Sequence, residues 1–253
     1  MPHQVPRLIL DEVDSTNAEA FALAKAGEAG PLWVMARRQT QGRGRSGRKW
    51  ASEPGNLYAS LLTTLSCAPV AVHQLSLLAG VAVVDAIGAA AVAAPIPGLR
   101  LKWPNDVLID HAKCAGILPE SHSSAHGPPI VAVIGIGINL TRHPDGLDRA
   151  ATNLAAHGVA VTPEAMLAQL AAAMERWLGI WDSGIGFAAV RRAWRARGGP
   201  TGEQLSVDTG KEKIVGQFVD LADDGALIMM DRSGRQRRLS YGEVTIERTG
   251  ERG

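Results

Sequence analysis

Between Val133 and Leu140 the chain reads Val-Ile-Gly-Ile-Gly-Ile-Asn-Leu, so apolar and nearly bare positions alternate residue by residue. A period of two marks an extended strand. Ile134, Ile136 and Ile138 share one face, suited to a core, while Gly135, Gly137 and Asn139 share the other. A glycine face lets another group approach the backbone closely. Two readings satisfy it: a flat ligand with Asn139 at its edge for hydrogen bonding, or a close strand–helix or subunit contact. Both can hold together.

A second segment narrows the choice. Residues 42–50 read Gly-Arg-Gly-Arg-Ser-Gly-Arg-Lys-Trp, with Arg43, Arg45, Arg48 and Lys49 placing four positive charges within seven residues. Glycines give the backbone conformational freedom and close access, and such a basic loop suits an anion better than a core. Gly42-x-Gly44-x-x-Gly47 also matches a dinucleotide fingerprint. The turn-like Ser52-Glu53-Pro54-Gly55 stands where that motif needs a helix. A solvated basic loop is the plain alternative.

Three further segments carry polar chemistry. In Lys102-Trp103-Pro104-Asn105-Asp106 the proline breaks a strand, so lysine, asparagine and aspartate gather at a turn. A lysine there suits phosphate and an aspartate suits magnesium. In Lys113-Cys114-Ala115-Gly116-Ile117-Leu118-Pro119-Glu120, strict alternation places Lys113 with Ala115 and Cys114 with Gly116 on opposite faces. Lys113 is a candidate desolvated ammonium; a solvated strand-end lysine is the alternative. Ser15-Thr16-Asn17 opens a helix. Thr16 with Glu19 fits a capping box, and the same helix N-terminus fits a polar ligand.

The remaining organisation follows from periodicity and turn residues. Strands are expected over Leu8–Val13, Leu32–Ala36, Leu57–Leu65, Leu99–Leu101, Val107–Ile109, Gly116–Leu118 and Ile130–Leu140. Helices are expected after Asp14 to Lys25, over Val72–Ala94, after Thr162-Pro163 and over Phe187–Arg197. Met166, Leu170, Met174, Trp177 and Trp181 form a core-facing stripe. The alanine- and valine-rich run from Val70 to Ala94 is interrupted by His73, Gln74 and Asp85, which favours a buried helix over a membrane span. Beyond Pro200 come five short strand candidates, Gln204–Val207, Lys213–Leu221, Ala226–Met230, Gln236–Leu239 and Glu243–Arg248, separated by hairpin signals such as Asp223-Asp224-Gly225. A small all-β unit is expected there, with a boundary near residues 198–202.

Composition limits the function classes. The net charge is +1 and Phe and Tyr together number five, which argues against a nucleic-acid stacking platform. Two cysteines, Cys67 and Cys114, are too few for a disulfide framework or a zinc site and suit a reducing, cytoplasmic setting. No apolar signal segment opens the chain.

The Gly-Arg-Gly-Arg-Ser-Gly-Arg-Lys-Trp loop, Lys-Trp-Pro-Asn-Asp, Lys-Cys-Ala-Gly-Ile-Leu-Pro-Glu and Gly-Ile-Gly-Ile-Asn occur here in the order and rough spacing of the biotin protein ligases. Asp14-Ser15-Thr16-Asn17 and Arg37-Arg38-Gln39-Thr40-Gln41 agree. The chain resembles that family from about Val13 to Arg248. The resemblance implies an α+β fold: a class II synthetase-like catalytic domain with a mixed sheet over residues 1–199, then an SH3-like β barrel over residues 200–253. It implies an ATP-dependent enzyme that makes biotinyl-5′-adenylate and passes biotin to a lysine of a carboxylase carrier domain, with ATP and Mg2+ required and a possible homodimer. A lipoate or octanoate ligase or transferase of the same fold is the alternative.

Residue by residue, the resemblance assigns Ser15, Thr16, Asn17 and Gln39 to the biotin head group. Arg43, Gly44 and Arg45 close over biotin and adenylate. Arg45, Arg48, Trp50, Lys102, Asn105 and Asn139 lie on the ATP side, and Asp106 near magnesium. Lys113 contacts the reacting oxygens, so Lys113 and Arg45 are the catalytic candidates. Gly116 and Gly135 leave room for biotin. Fourteen residues precede Ser15, too few for the winged helix-turn-helix of the repressor branch, so no DNA partner is expected, and no membrane.

Overall fold

The computed structural model describes residues 5–124, 127–144 and 150–247. A mixed seven-stranded sheet carries the fold. Its strands are β1 (Arg7–Val13), β2 (Leu32–Gln39), β3 (Leu57–Leu65), β4 (Arg100–Lys102), β5 (Asp106–Ile109), β6 (Ala112–Ser124) and β7 (Gly127–Ile138), in the order β1-β2-β3-β7-β6-β5-β4. Among the described strands of this sheet only the β1–β2 pair is parallel, joined through helix α1 (Thr16–Lys25).

Alternation sorts the side chains of this sheet. Trp33 and Met35 of β2, Leu57, Ala59 and Leu61 of β3, and Ile134, Ile136 and Ile138 of β7 enter the main core. Val34, Leu62 and Val133 take the opposite face, where they pack with Ala20 of α1. Register on that second face places Ser60 opposite Gly135 and Tyr58 opposite Gly137, then Gly135 opposite Leu118 and Gly137 opposite Gly116. The glycine face therefore lies beside α1, away from the large core.

The main core is closed by α2 (Gln74–Ala90), α3 (Pro163–Trp181) and α4 (Phe187–Arg197). Pro163 opens α3, and Thr162 Oγ1 accepts from Ala165 N at 3.2 Å. Met166, Leu170, Met174, Trp177 and Trp181 are all buried, as their spacing requires. The segment expected as one helix from Val72 begins as a 3-10 turn over Pro69–His73 and ends at Ala90. By length and composition Pro69–Ala90 is apolar enough to cross a membrane, yet most of it is buried inside the fold. Asp85 within it is satisfied from α3 and α4: Trp177 Nε1 donates at 2.9 Å and Arg197 Nη2 at 2.7 Å.

The C-terminal strands β8 (Gln204–Asp208), β9 (Lys213–Leu221), β10 (Leu227–Asp231), β11 (Gln236–Leu239) and β12 (Glu243–Ile246) form a second, antiparallel sheet in the order β11-β10-β9-β8-β12. This corrects the expected fold, because the sheet is open and the SH3-like barrel is not formed. β11 and β12 lie at opposite edges without pairing to each other. Closure needs a full ladder between the edges. Each edge strand is only four residues long. The start of β12 turns to the glycine–arginine loop, where Gly242 O and Glu243 meet Arg45 and Arg48. The expected last strand ran to Arg248, which lies outside the described residues. The two sheets are tied together by Arg100–Glu203, at 2.6 Å and largely buried, and by Trp103 Nε1, which donates to Gly225 O at 3.1 Å.

Candidate active site

A cavity of about 880 Å³ opens between the glycine face of the sheet, the start of α1, the 42–50 loop and the edge of the second sheet. That volume lies within the range of small-molecule sites. Every site residue singled out in the sequence lines it: Ser15–Asn17 and Gln39 at one end, Lys102, Asn105, Asp106 and Lys113 deep within, Arg43–Arg45, Arg48 and Trp50 over it, and Gly116, Gly135 and Asn139 on its floor.

The polar end is assembled by hydrogen bonds between distant segments. Ser15 is the N-cap of α1 but makes no side-chain cap, and the Thr16–Glu19 capping box does not form. Instead Gln39 Oε1, from the end of β2, accepts from Thr16 N at 2.8 Å. Gln39 Nε2 donates to Ser52 Oγ at 2.9 Å, and Ser52 Oγ donates to Trp50 O at 3.1 Å. Ser60 Oγ lies 2.7 Å from Thr16 Oγ1 and 2.6 Å from Asn17 Oδ1. Ser52, Ser60 and Glu120 were not singled out in the sequence. Ser60 carried no distinguishing signal, because β3 holds further hydroxyls at Tyr58, Thr63 and Thr64.

The 42–50 loop is a small hairpin. Gly44 N donates to Arg48 O at 2.7 Å and Trp50 N to Gly42 O at 2.8 Å, around a 3-10 turn at Arg45–Gly47. A Cβ on Gly42 would stand 2.5 Å from Trp50 O and 2.6 Å from Ser52 Oγ, whereas at Gly44 the nearest atom is Arg48 O at 3.6 Å. Close approach thus demands glycine at 42. The arginines reach outward from the hairpin. Arg45 donates to Asn105 Oδ1 at 3.2 Å and to Gly242 O at 3.3 Å, and Arg48 pairs with Glu243. Burial lowers the pKa of Arg45, opposed by Asp106 and reinforced by Arg48. An anion entering the cavity relieves that cost.

Trp50 closes the hairpin and packs against the glycines. Its ring atoms come within 2.6 Å of where a Cβ of Gly137 would be, and within 2.9 Å for Gly116. Gly135 receives Asn17 Oδ1 in the same manner, 2.3 Å from its Cβ position. The bare face is therefore first occupied by the protein's own Trp50 and Asn17. Trp50 Nε1 is buried and has no hydrogen-bond partner among the described residues. Asn139 is buried, with Nδ2 donating to Thr152 O at 2.9 Å, so its amide pins the strap that follows β7.

Lys113 shares the cavity with Gly116, against simple alternation. Val107 pairs with Ala115 and Leu108 with Lys113, which leaves Cys114 as the extra residue of a β-bulge. The bulge turns Lys113 to the side of Gly116, whose Cβ position is 3.1 Å from Lys113 Nζ, while Ala115 packs in the core. Cys114 is fully buried, and burial pushes its thiol up to about 12. A thiolate nucleophile is not available there.

Asp106 is the electrostatic centre of the site. It is 5% exposed, with Oδ1 2.5 Å from Lys113 Nζ and Oδ2 2.8 Å from Lys102 Nζ. Burial alone pushes its carboxyl up, and the two ammonium groups outweigh it, holding the pKa below the ordinary value. Lys113 Nζ also sits 5.2 Å from the Trp50 ring centre. Both carboxylate oxygens are taken by lysines, so Asp106 does not fit the role of a magnesium ligand. It fits that of an anchor that holds two cations side by side.

An α+β scaffold with a cation-lined cleft beside a neutral hydrogen-bonding cradle suits a ligand whose polar, uncharged head group is held at one end while a negatively charged group meets phosphate at the other. Residues 11–139 match the biotin/lipoate A/B protein ligase family. The chain is 43% identical to the biotin–[acetyl-CoA-carboxylase] ligase of Paracoccus denitrificans, over 90% of this chain and 95% of that one. It is 35% identical to the protein of the same name in Mycobacterium tuberculosis, over 93% and 87%. Among solved structures, the biotin protein ligase of Aquifex aeolicus in complex with biotin and ATP is similar, with a TM-score of 0.78, 28% identity and coverage of 96% and 99%. The chain belongs to the biotin/lipoate A/B protein ligase family.

Proposed function

We propose that the cavity holds biotin beside ATP, joins them as biotinyl-5′-adenylate, and then delivers the biotinyl group to a lysine of a carboxylase carrier domain. The observation that carries this reading is the convergence of Lys113, Lys102 and Arg45 on one cavity whose far end is the Ser15–Thr16–Asn17–Gln39 cradle. The relatives named for biotin–[acetyl-CoA-carboxylase] ligation support it, as does the similar fold that binds biotin and ATP.

In the first step a biotin carboxylate oxygen attacks the α-phosphorus. The new acyl–phosphate bond forms as the bond to pyrophosphate breaks, and pyrophosphate leaves with the electron pair. Charge builds on the phosphate oxygens, and fixed cations lower that barrier because they need no reorganisation. Lys113 faces the reacting oxygens, with Arg45 over them. Ser15, Thr16, Asn17 and Gln39 present their hydrogen-bonding groups to the head group, and Arg43 and Gly44 cover it. Arg48, Trp50, Lys102, Asn105 and Asn139 form the nucleotide side. In the second step the neutral acceptor amine attacks the acyl carbon, the acyl–phosphate bond breaks, AMP leaves with the electron pair, and the amine's proton passes to solvent. The buried Cys114 speaks against a cysteine-dependent acyl transferase.

Biotin-dependent exchange of labelled pyrophosphate into ATP tests the reading. Exchange that appears with biotin and not with lipoate or octanoate supports it. Folded protein that shows none, or that prefers lipoate, overturns it.

A further inference from the structure

We propose that Glu120 is a positioning residue whose single carboxylate ties the glycine–arginine loop to the start of α1 and so sets the affinity of the site for biotin. The proposal rests on the reading of the cavity as a biotin site. Glu120 follows Gly116 and Leu118 on the site face of β6, opposite Val133. Its Oε2 accepts from Asn17 Nδ2 at 2.7 Å and stands 3.6 Å from Arg43 Nη2.

The Asn17 arm is the stronger of the two. Asn17 is 4% exposed. Its second Nδ2 proton goes to Leu118 O at 3.2 Å, and its Oδ1 accepts from Ser60 Oγ at 2.6 Å while resting on Gly135. The amide therefore has one orientation, fixed by a carboxylate, a carbonyl and a hydroxyl. Of these only Glu120 carries charge, and hydrogen bonds to a charged acceptor are about twice as strong as neutral ones. Removing it leaves a buried N–H without its partner and frees the amide to turn.

The Arg43 arm works differently. Arg43 is half exposed, so the pair contributes little to global stability. Its effect is local, because Arg43 lies in the hairpin and Glu120 does not. The same oxygen meets both partners, so a loop that lifts away withdraws a cation from the group that orients Asn17. Glu120 thereby couples the cover of the site to its head-group cradle.

Three variants separate the arms. Glu120→Gln keeps an oxygen for Asn17 and drops the charge facing Arg43, Glu120→Ala drops both, and Glu120→Asp keeps the charge. Biotin binding by calorimetry and pyrophosphate exchange with biotin or ATP varied are the readouts. For Glu120→Ala the expected result is a rise of about ten-fold in the Kd and KM for biotin, the size of one charge-assisted hydrogen bond, with the KM for ATP within about two-fold of the parent. Glu120→Gln is expected to weaken biotin binding about three-fold and to speed amide exchange across residues 42–50, with Glu120→Asp recovering part of the loss. Unchanged biotin affinity in Glu120→Ala, or parallel rises in both KM values, overturns the proposal. Should Glu120→Ala fail to fold, Glu120→Gln decides alone, and an unchanged Kd and exchange pattern there overturn it. A parent protein that binds no biotin refutes the functional reading itself, a result distinct from any failure of Glu120.

Discussion

Asp106 holds Lys113 and Lys102 at once, one on each carboxylate oxygen, at 2.5 and 2.8 Å. The pair of lysines repels itself without that anion, and the anion is buried at a cost without the lysines. The three side chains therefore act as one unit, and substitution of the carboxylate is felt at both cations.

Asp106→Asn removes the anchor and keeps the shape. Pyrophosphate exchange is expected to fall by about 10²-fold, as for the loss of one preorganised charged contact. The magnesium concentration giving half-maximal rate is expected to stay where it is. A shift of that concentration to higher values in the variant would show Asp106 to be a metal ligand.

The same residue sets a pH dependence of stability. Its carboxyl lies below the ordinary value in the folded chain, so the unfolded chain binds more protons between the two pKa values. The stabilisation is complete above the ordinary aspartate pKa of about 3.9 and is lost as the pH falls through the depressed folded value. Thermal melting followed from pH 6 downward to about pH 3 should therefore show a shallower fall in Asp106→Asn than in the parent.

Lys113 and Cys114 are neighbours with opposite fates. Lys113→Ala is expected to lower the exchange rate by about 10²-fold or more. Cys114→Ala, in the core, is expected to keep near-parental exchange and to cost about 1 kcal/mol in melting. Equal losses of activity from the two would point to the thiol.

Gly42 and Gly44 are chemically alike and sterically different. Gly42→Ala drives a methyl into Trp50 O and Ser52 Oγ and disturbs Gln39 through Ser52, so the KM for biotin is expected to rise about ten-fold. Gly44→Ala meets no protein atom closer than 3.6 Å and is expected to raise that KM by less than Gly42→Ala does. Steady-state kinetics on the two alanine variants decides it.

Much of the fold was legible because its signals are local. The isoleucine–glycine alternation of β7, the Thr162–Pro163 helix start and the Met166–Trp181 stripe each depend on residues a few positions apart, and backbone geometry alone converts them into a strand or a helix face. The polar residues of the four motifs also gather on one cavity. What the tertiary structure decided depends on partners far along the chain. Only the pairing of β5 with β6 reveals the bulge that turns Lys113 toward Gly116. Only the approach of β2 to α1 lets Gln39 replace the Thr16–Glu19 box, because a side-chain acceptor from another strand outcompeted the local one. The second sheet is open, with β11 and β12 at opposite edges, and the start of β12 meets arginines that lie some two hundred residues earlier, Arg45 on Gly242 and Arg48 on Glu243. Local sequence determines the backbone states and which residues are polar or bare, and the long-range packing that no short window contains determines which of them face each other.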